Sequence, residues 1–214
     1  MKHLNKKIAV VAVRLALACA LCVSCCTLIA STAWAGDLED GLAASEKGDF
    51  ATALKLWQPL AERGNAAAQF HLAMLYQLGF GVPQDKLEAL RWYTKSATQG
   101  LADAQYNLAT MYQDGDGIQQ DNSAAIKWYI AAAKQGYSRA QFFLALLYEE
   151  IGDLSGDIQN YIKSYMWFNI ASALKFPSAD ISRDKMALKL MPYQLQRAQL
   201  LATRCFNSNY KDCD

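Results

Sequence analysis

The chain has 214 residues, is 53% hydrophobic and carries 21 Lys and Arg against 20 Asp and Glu, a net charge of +1. That length suits one domain or one continuous array, and a charge this close to zero excludes a polyanion binder driven by bulk charge.

The first 35 residues read as a leader. Lys2, Lys6, Lys7 and Arg14 make a basic start, Leu15 to Ala30 is an almost unbroken apolar run, and Ala33-Trp34-Ala35 places small residues where a signal peptidase cleaves. Cleavage is expected between Ala35 and Gly36, which makes the protein periplasmic or secreted. The apolar run is short for a comfortable membrane span. The rival readings are an uncleaved anchor or a lipoprotein, the latter invited by Cys19, Cys22, Cys25 and Cys26. No clean lipoprotein triplet precedes any of these cysteines. Without the leader, 17 basic residues face 20 acidic ones, a net charge of −3. No basic run remains, so no nucleic-acid partner is expected, and no second apolar stretch is long enough to span a membrane.

Beyond the leader the sequence repeats with a step of 36 residues. Gly64, Gly100 and Gly136 keep that step, as do Ala68-Gln69, Ala104-Gln105 and Ala140-Gln141, Tyr76, Tyr112 and Tyr148, and the aspartates 49, 85 and 121. Such a period, with small and aromatic residues in fixed places, marks a solenoid of helix pairs. The expected fold is therefore an all-α superhelical array. A leading helix occupies 36–48, full units run over 49–84, 85–120 and 121–160, and a partial unit covers 161–174. In the second unit Asp85 is the expected N-cap of one helix, and Ala104, Leu108, Met111 and Tyr112 mark the next. Asp114-Gly115-Asp116-Gly117 should end it, as Gly79 to Pro83 ends the helix of the unit before. The third unit is stretched: Trp92 to Trp128 is 36 residues but Trp128 to Trp167 is 39. Its break is expected at Glu149 to Asp153, with Glu149 and Glu150 on a solvated loop. Residues 175–214 should form two capping helices with a polar outer face, Pro192 standing near the start of the last.

Cys205 and Cys213 are the only cysteines beyond the leader. In an exported chain an even pair reads as a disulfide, contributing roughly 2–3 kcal/mol on the chain-entropy estimate. The alternative is a reactive thiol pair, although seven intervening residues differ from the usual redox spacing of two.

The runs Ala89-Leu90-Arg91-Trp92-Tyr93, Ala97-Thr98-Gln99-Gly100, Leu108 to Tyr112 and Gly115-Asp116-Gly117, repeated with Ala125 to Tyr129 and Ala133 to Gly136, resemble the Sel-one-like repeat. This is a longer cousin of the tetratricopeptide repeat. The resemblance covers about Asp37 to Leu174 and implies an α/α solenoid that holds partner proteins on its concave side. It carries no shared catalytic motif, so no catalytic residue transfers and no enzyme or cofactor is expected. It implies an adaptor or scaffold of the bacterial envelope, with an envelope or host protein as partner. The second reading is a binder or hydrolase of cell-wall or penicillin-like compounds, by analogy with cysteine-rich relatives that staple each repeat with a disulfide. A third is an assembly factor whose ends stack on other solenoids.

Individual residues give little chemistry. His71 is the only histidine beyond the leader, at the place of Asn107 and Phe143, and is expected to pack or face solvent. Asp114 to Gly117 lacks the glycine position and closing glutamate of a calcium loop, so no metal site is expected. Tyr93, Tyr129 and Phe168 should be core, whereas Trp92, Trp128 and Trp167 could leave one ring face open. The candidate partner-binding face comprises Arg91, Trp92, Lys95, Lys127, Trp128 and Lys134, a shallow cationic groove suited to an acidic or extended peptide.

Overall fold

A computed structural model describes residues 36–213; the expected leader and its cleavage site at Ala35 lie outside them, apart from Gly36. The described residues form ten helices and no strand. Helix α1 covers 36–46, followed by α2 (Phe50–Glu62), α3 (Ala66–Leu78), α4 (Lys86–Thr98), α5 (Ala102–Asp114) and α6 (Asn122–Ala133). Then come α7 (Ser138–Ser155), α8 (Ile158–Ala173), α9 (Ala179–Ala187) and α10 (Pro192–Asn207).

The periodic residues set the helix ends. Asp49, Asp85 and Asp121 each accept a backbone N–H from the first turn of the helix that follows, at 2.9–3.1 Å. These bonds satisfy donors that have no partner inside the helix. Gly79 and Gly115 close α3 and α5 in the left-handed conformation. Pro192 opens α10, where its missing N–H costs nothing.

The expected break at Glu149 to Asp153 does not occur. Helix α7 runs 18 residues, against 13 in α3 and α5, and closes at the left-handed Gly156. The helix gains five residues while the linker after it shrinks from seven to two. Helix α8 begins nine residues before Trp167, where α4 and α6 begin six before Trp92 and Trp128, which takes up the three extra residues as helix. Gly152 is helical rather than a breaker: a Cβ there would stand 2.8 Å from the Tyr161 ring, so the glycine permits close packing of α7 on α8.

Helices pack most extensively as the pairs α3 with α4, α5 with α6 and α7 with α8. Fully buried alanines (Ala53, Ala89, Ala104, Ala125 and Ala140) allow that approach. Two apolar clusters result, and Tyr112 and Trp128 pack against both, so the core is continuous along the array. Beyond it α9 and α10 both pack on α8. On the outer surface of this end Ile181, Leu188, Met191, Tyr193 and Leu200 are exposed.

Candidate protein-binding face

The phase-matched residues sit on the first helices of successive units, so the spacing of the array sets their separation. Arg91 and Lys95 lie on α4 and Lys127 on α6, all three exposed. Arg91 donates to Glu88 one turn back at 3.0 Å. The Lys95 Nζ stands 3.9 Å over the Trp92 ring, and the Lys127 Nζ is 5.8 Å from the centre of Trp128. Lys134 is half-buried at the C-cap of α6.

Two of the aromatic expectations need correction. Trp92 is only 6% exposed and Trp167 only 2%, so neither offers an open ring face. Trp92 fills the space between helices, and Lys95 covers what remains of it. Trp128 alone of the three is half-exposed. Tyr93, Tyr129 and Phe168 are fully buried, as expected of core.

Behind this face two polar ladders fix one unit against the next. Tyr93 donates its hydroxyl to Gln77 at 2.9 Å, and Tyr129 donates to Gln113 at 2.8 Å. Burial pushes both phenols well above their ordinary range, so they remain donors at any physiological pH. The second ladder uses the glutamine of each Ala-Gln pair. Gln69, Gln105 and Gln141 donate to the last turn of the preceding helix, at the carbonyls of Ala61, Ala97 and Ala133. Gln69 and Gln105 also accept from Gln99 and Gln135 of the following unit at 2.7 and 2.8 Å. Residues held this way keep the helix faces in fixed register.

The ladder changes at its C-terminal end, and this was missed in the sequence. Gln77, Gln113 and Glu149 occupy one place at steps of 36, while Phe168 replaces the tyrosine that would donate to the last of them. Glu149 is not on a solvated loop: it is nearly buried on α7 and pairs with Lys185 and Lys189 at 3.2 and 3.3 Å. Lys189 also meets Asp153 at 2.6 Å. Burial opposes the charge of Lys189, but hydrogen bonds to Asp153 and Glu149 outweigh it and raise its pKa. A hydroxyl–amide bond between units thus becomes a carboxylate–ammonium cluster that anchors the cap. Comparing the three positions one period apart would have revealed it.

The remaining residues are structural. His71 stacks on Trp57 with ring centres 4.7 Å apart, and burial lowers its pKa, partly offset by Asp103. Tyr137 is pushed up to about 12 by burial and by its hydrogen bond to Asp103. Asp116 pairs with Lys86, so Asp114 to Gly117 closes its own unit. In the first unit the same two places hold Phe50 and Phe80, stacked 4.5 Å apart. Gly117 is tied to that closure, since a Cβ there would lie 2.4 Å from the Lys86 Cβ. Cys205 and Cys213 are bonded. Among the described residues no group of three or more His, Cys, Asp or Glu side chains is placed to hold a metal ion, and no helix is long and apolar enough to cross a membrane.

The Sel1 repeat family model matches at residues 32–65, 66–101, 102–137 and 138–176. Its units begin at the second helix of each pair read from the sequence, and so group the helices that pack most extensively. A Sel1 repeat protein from Oxalobacter formigenes is 30% identical with a TM-score of 0.57, over 64% of this chain and 53% of that one. A protective antigen of uropathogenic Escherichia coli strains, described as displaying an SLR fold, is 28% identical with a TM-score of 0.47, over 81% of this chain and 45% of its own. The chain spans about half the length of these two solved proteins. No curated protein matches it. With four matched units over more than half of its length, the chain belongs to the Sel1 repeat family.

Proposed function

We propose that this protein is a non-enzymatic scaffold of the bacterial envelope that holds a partner protein along the concave side of its array. Sel1 repeats are in general protein-interaction modules without catalysis. The observation that carries the reading to particular residues is the exposure of Arg91 and Lys127 at one place on α4 and α6, one period apart. Lys127 has no ion pair among the described residues, and Arg91 pairs with a glutamate on its own helix and lies 5.6 Å from the centre of the Trp92 ring. Such a row offers an extended acidic segment one contact per unit, so affinity comes from several modest contacts rather than one deep pocket. Export rests on the basic start, the apolar run and the Ala33-Trp34-Ala35 triplet. It makes an envelope or host protein the expected partner, and N-terminal sequencing beginning at Gly36 would establish cleavage.

The test is co-purification from the native cell, comparing the tagged protein with R91E/K127E by quantitative mass spectrometry. A protein recovered with the native face and depleted at least tenfold with the reversed one supports the reading. Identical recovery from both, with both folded, contradicts it.

A further inference from the structure

We infer that the pocket between α6, α8, α10 and the disulfide-closed tail receives an acidic peptide segment, a carboxylate seated beside a bulky apolar side chain. The inference rests on the scaffold reading above and adds to it a second site, separate from Arg91 and Lys127.

The pocket has a volume of about 210 Å³. Ile130, Ile162, Met166, Trp167 and Leu201 supply its apolar lining, and Met166 and Trp167 are buried and therefore fixed. Lys163 and Arg197 line it from α8 and α10 with exposed side chains, and no carboxylate lines it at all. The Lys163 Nζ is 5.2 Å from the centre of the Tyr148 ring, on another wall of the same pocket. Neither cation makes an ion pair among the described residues, although Lys185, Lys189, Arg183 and Arg204 nearby are all paired with acids.

The repeat does not impose this charge. Stepping back 39 and then 36 residues from Lys163 reaches Ala124 and Glu88, so the position tolerates a neutral or an acidic side chain. Arg197 lies beyond the repeats altogether. Two unpaired cations beside an apolar cavity, in a chain with acid in excess after the leader, leave a complementary place for an anion carrying an apolar neighbour. A bare polyanion would leave the apolar lining unfilled and would meet a net negative chain. An acidic peptide satisfies both parts of the site.

The walls are also fixed in advance. The Cys205–Cys213 bond brings Cys213 to the pocket, and the same tail lays Tyr210 so close to the turn after α6 that a Cβ on Gly136 would stand 3.1 Å from its ring. Less ordering is then required when a peptide binds.

Random nonamer peptides displayed on phage and selected on the purified protein provide the test. The expected enrichment is Asp or Glu adjacent to Leu, Ile or Phe, and the selected peptides should lose at least tenfold in affinity to K163E/R197E. Lys163→Met with Arg197→Met should lose less, with melting temperatures unchanged in both variants. Enriched peptides without acidic residues, affinity unaltered by K163E/R197E, or no enrichment at all would overturn the pocket. Peptides that lose affinity to R91E/K127E instead would sink this site and leave the scaffold reading standing, which the co-purification experiment decides separately.

Discussion

Gln135 donates to Gln105 across 30 residues of sequence at 2.8 Å, repeating the bond from Gln99 to Gln69 one unit earlier. The third such acceptor, Gln141, is fully buried with no partner for its Oε1 among the described residues, because Leu174 stands where the donating glutamine would be. An unmet buried acceptor costs the folded state about 1–3 kcal/mol. Leu174 is 37% exposed, so replacing it removes little core. Leu174→Gln should therefore stabilise by about 1 kcal/mol. That corresponds to a melting temperature about 2–4 °C higher. A lower melting temperature would show that the extra residues of the third unit have moved the junction out of register.

The cap anchor should respond to charge. Glu149→Gln keeps the side-chain shape but removes the ion pairs with Lys185 and Lys189. We expect a loss of about 1 kcal/mol in urea unfolding, since both lysines are partly solvated and screened. The double change Glu149→Gln with Phe168→Tyr rebuilds the Tyr–Gln pair of the earlier units and should recover part of that loss. Equal stability of wild type and Glu149→Gln at low salt would remove the cluster from the account of the cap.

Reduction should loosen the end of the array. The Cys205–Cys213 bond closes a separation of eight residues, for which the chain-entropy model gives about 2.5 kcal/mol. Cys205→Ser with Cys213→Ser should lower stability by about that amount, and hydrogen exchange should rise in α10 before it rises in α4 or α5. Uniformly faster exchange would instead mean that the tail stabilises the whole array.

His71 gives the first unit a pH dependence. Burial holds its pKa below 6.5, so the folded state binds a proton less readily than the unfolded chain. Its contribution is complete above about pH 6.5 and is lost as the pH falls toward the lowered folded value. His71→Phe, which installs the residue type found at Phe143, should flatten the fall in melting temperature between about pH 7 and about pH 5. An unchanged slope would assign the acid sensitivity to carboxylates such as Asp153.

The period made the helix pairs, the aspartate caps and the core tyrosines legible, because each serves the same neighbours in every unit. It also concealed what happens where the neighbours change. Gly152 looks like a helix break by composition, yet it is the close approach of Tyr161 that requires it. Glu149 looks like a surface carboxylate, yet its partners lie outside the repeat, Lys185 on α9 and Lys189 in the turn that follows it. Trp92 carries the same residue type as Trp128 one unit on, but only the former is buried, with Lys95 covering it. Position 131 on α6 holds an alanine in the place of Lys95. Side-chain exposure at the candidate face thus depends on unit-specific partners that periodicity averages away.

Site-specific photo-crosslinking in the native cell tests the central claim most directly, with the probe at position 91, at position 127 and, as a control, at the exposed Arg139 on the second helix α7. One discrete protein adduct should be shared by 91 and 127 and absent at 139. Adducts equal at all three positions, or none at 91 and 127 with the protein abundant and folded, would contradict it.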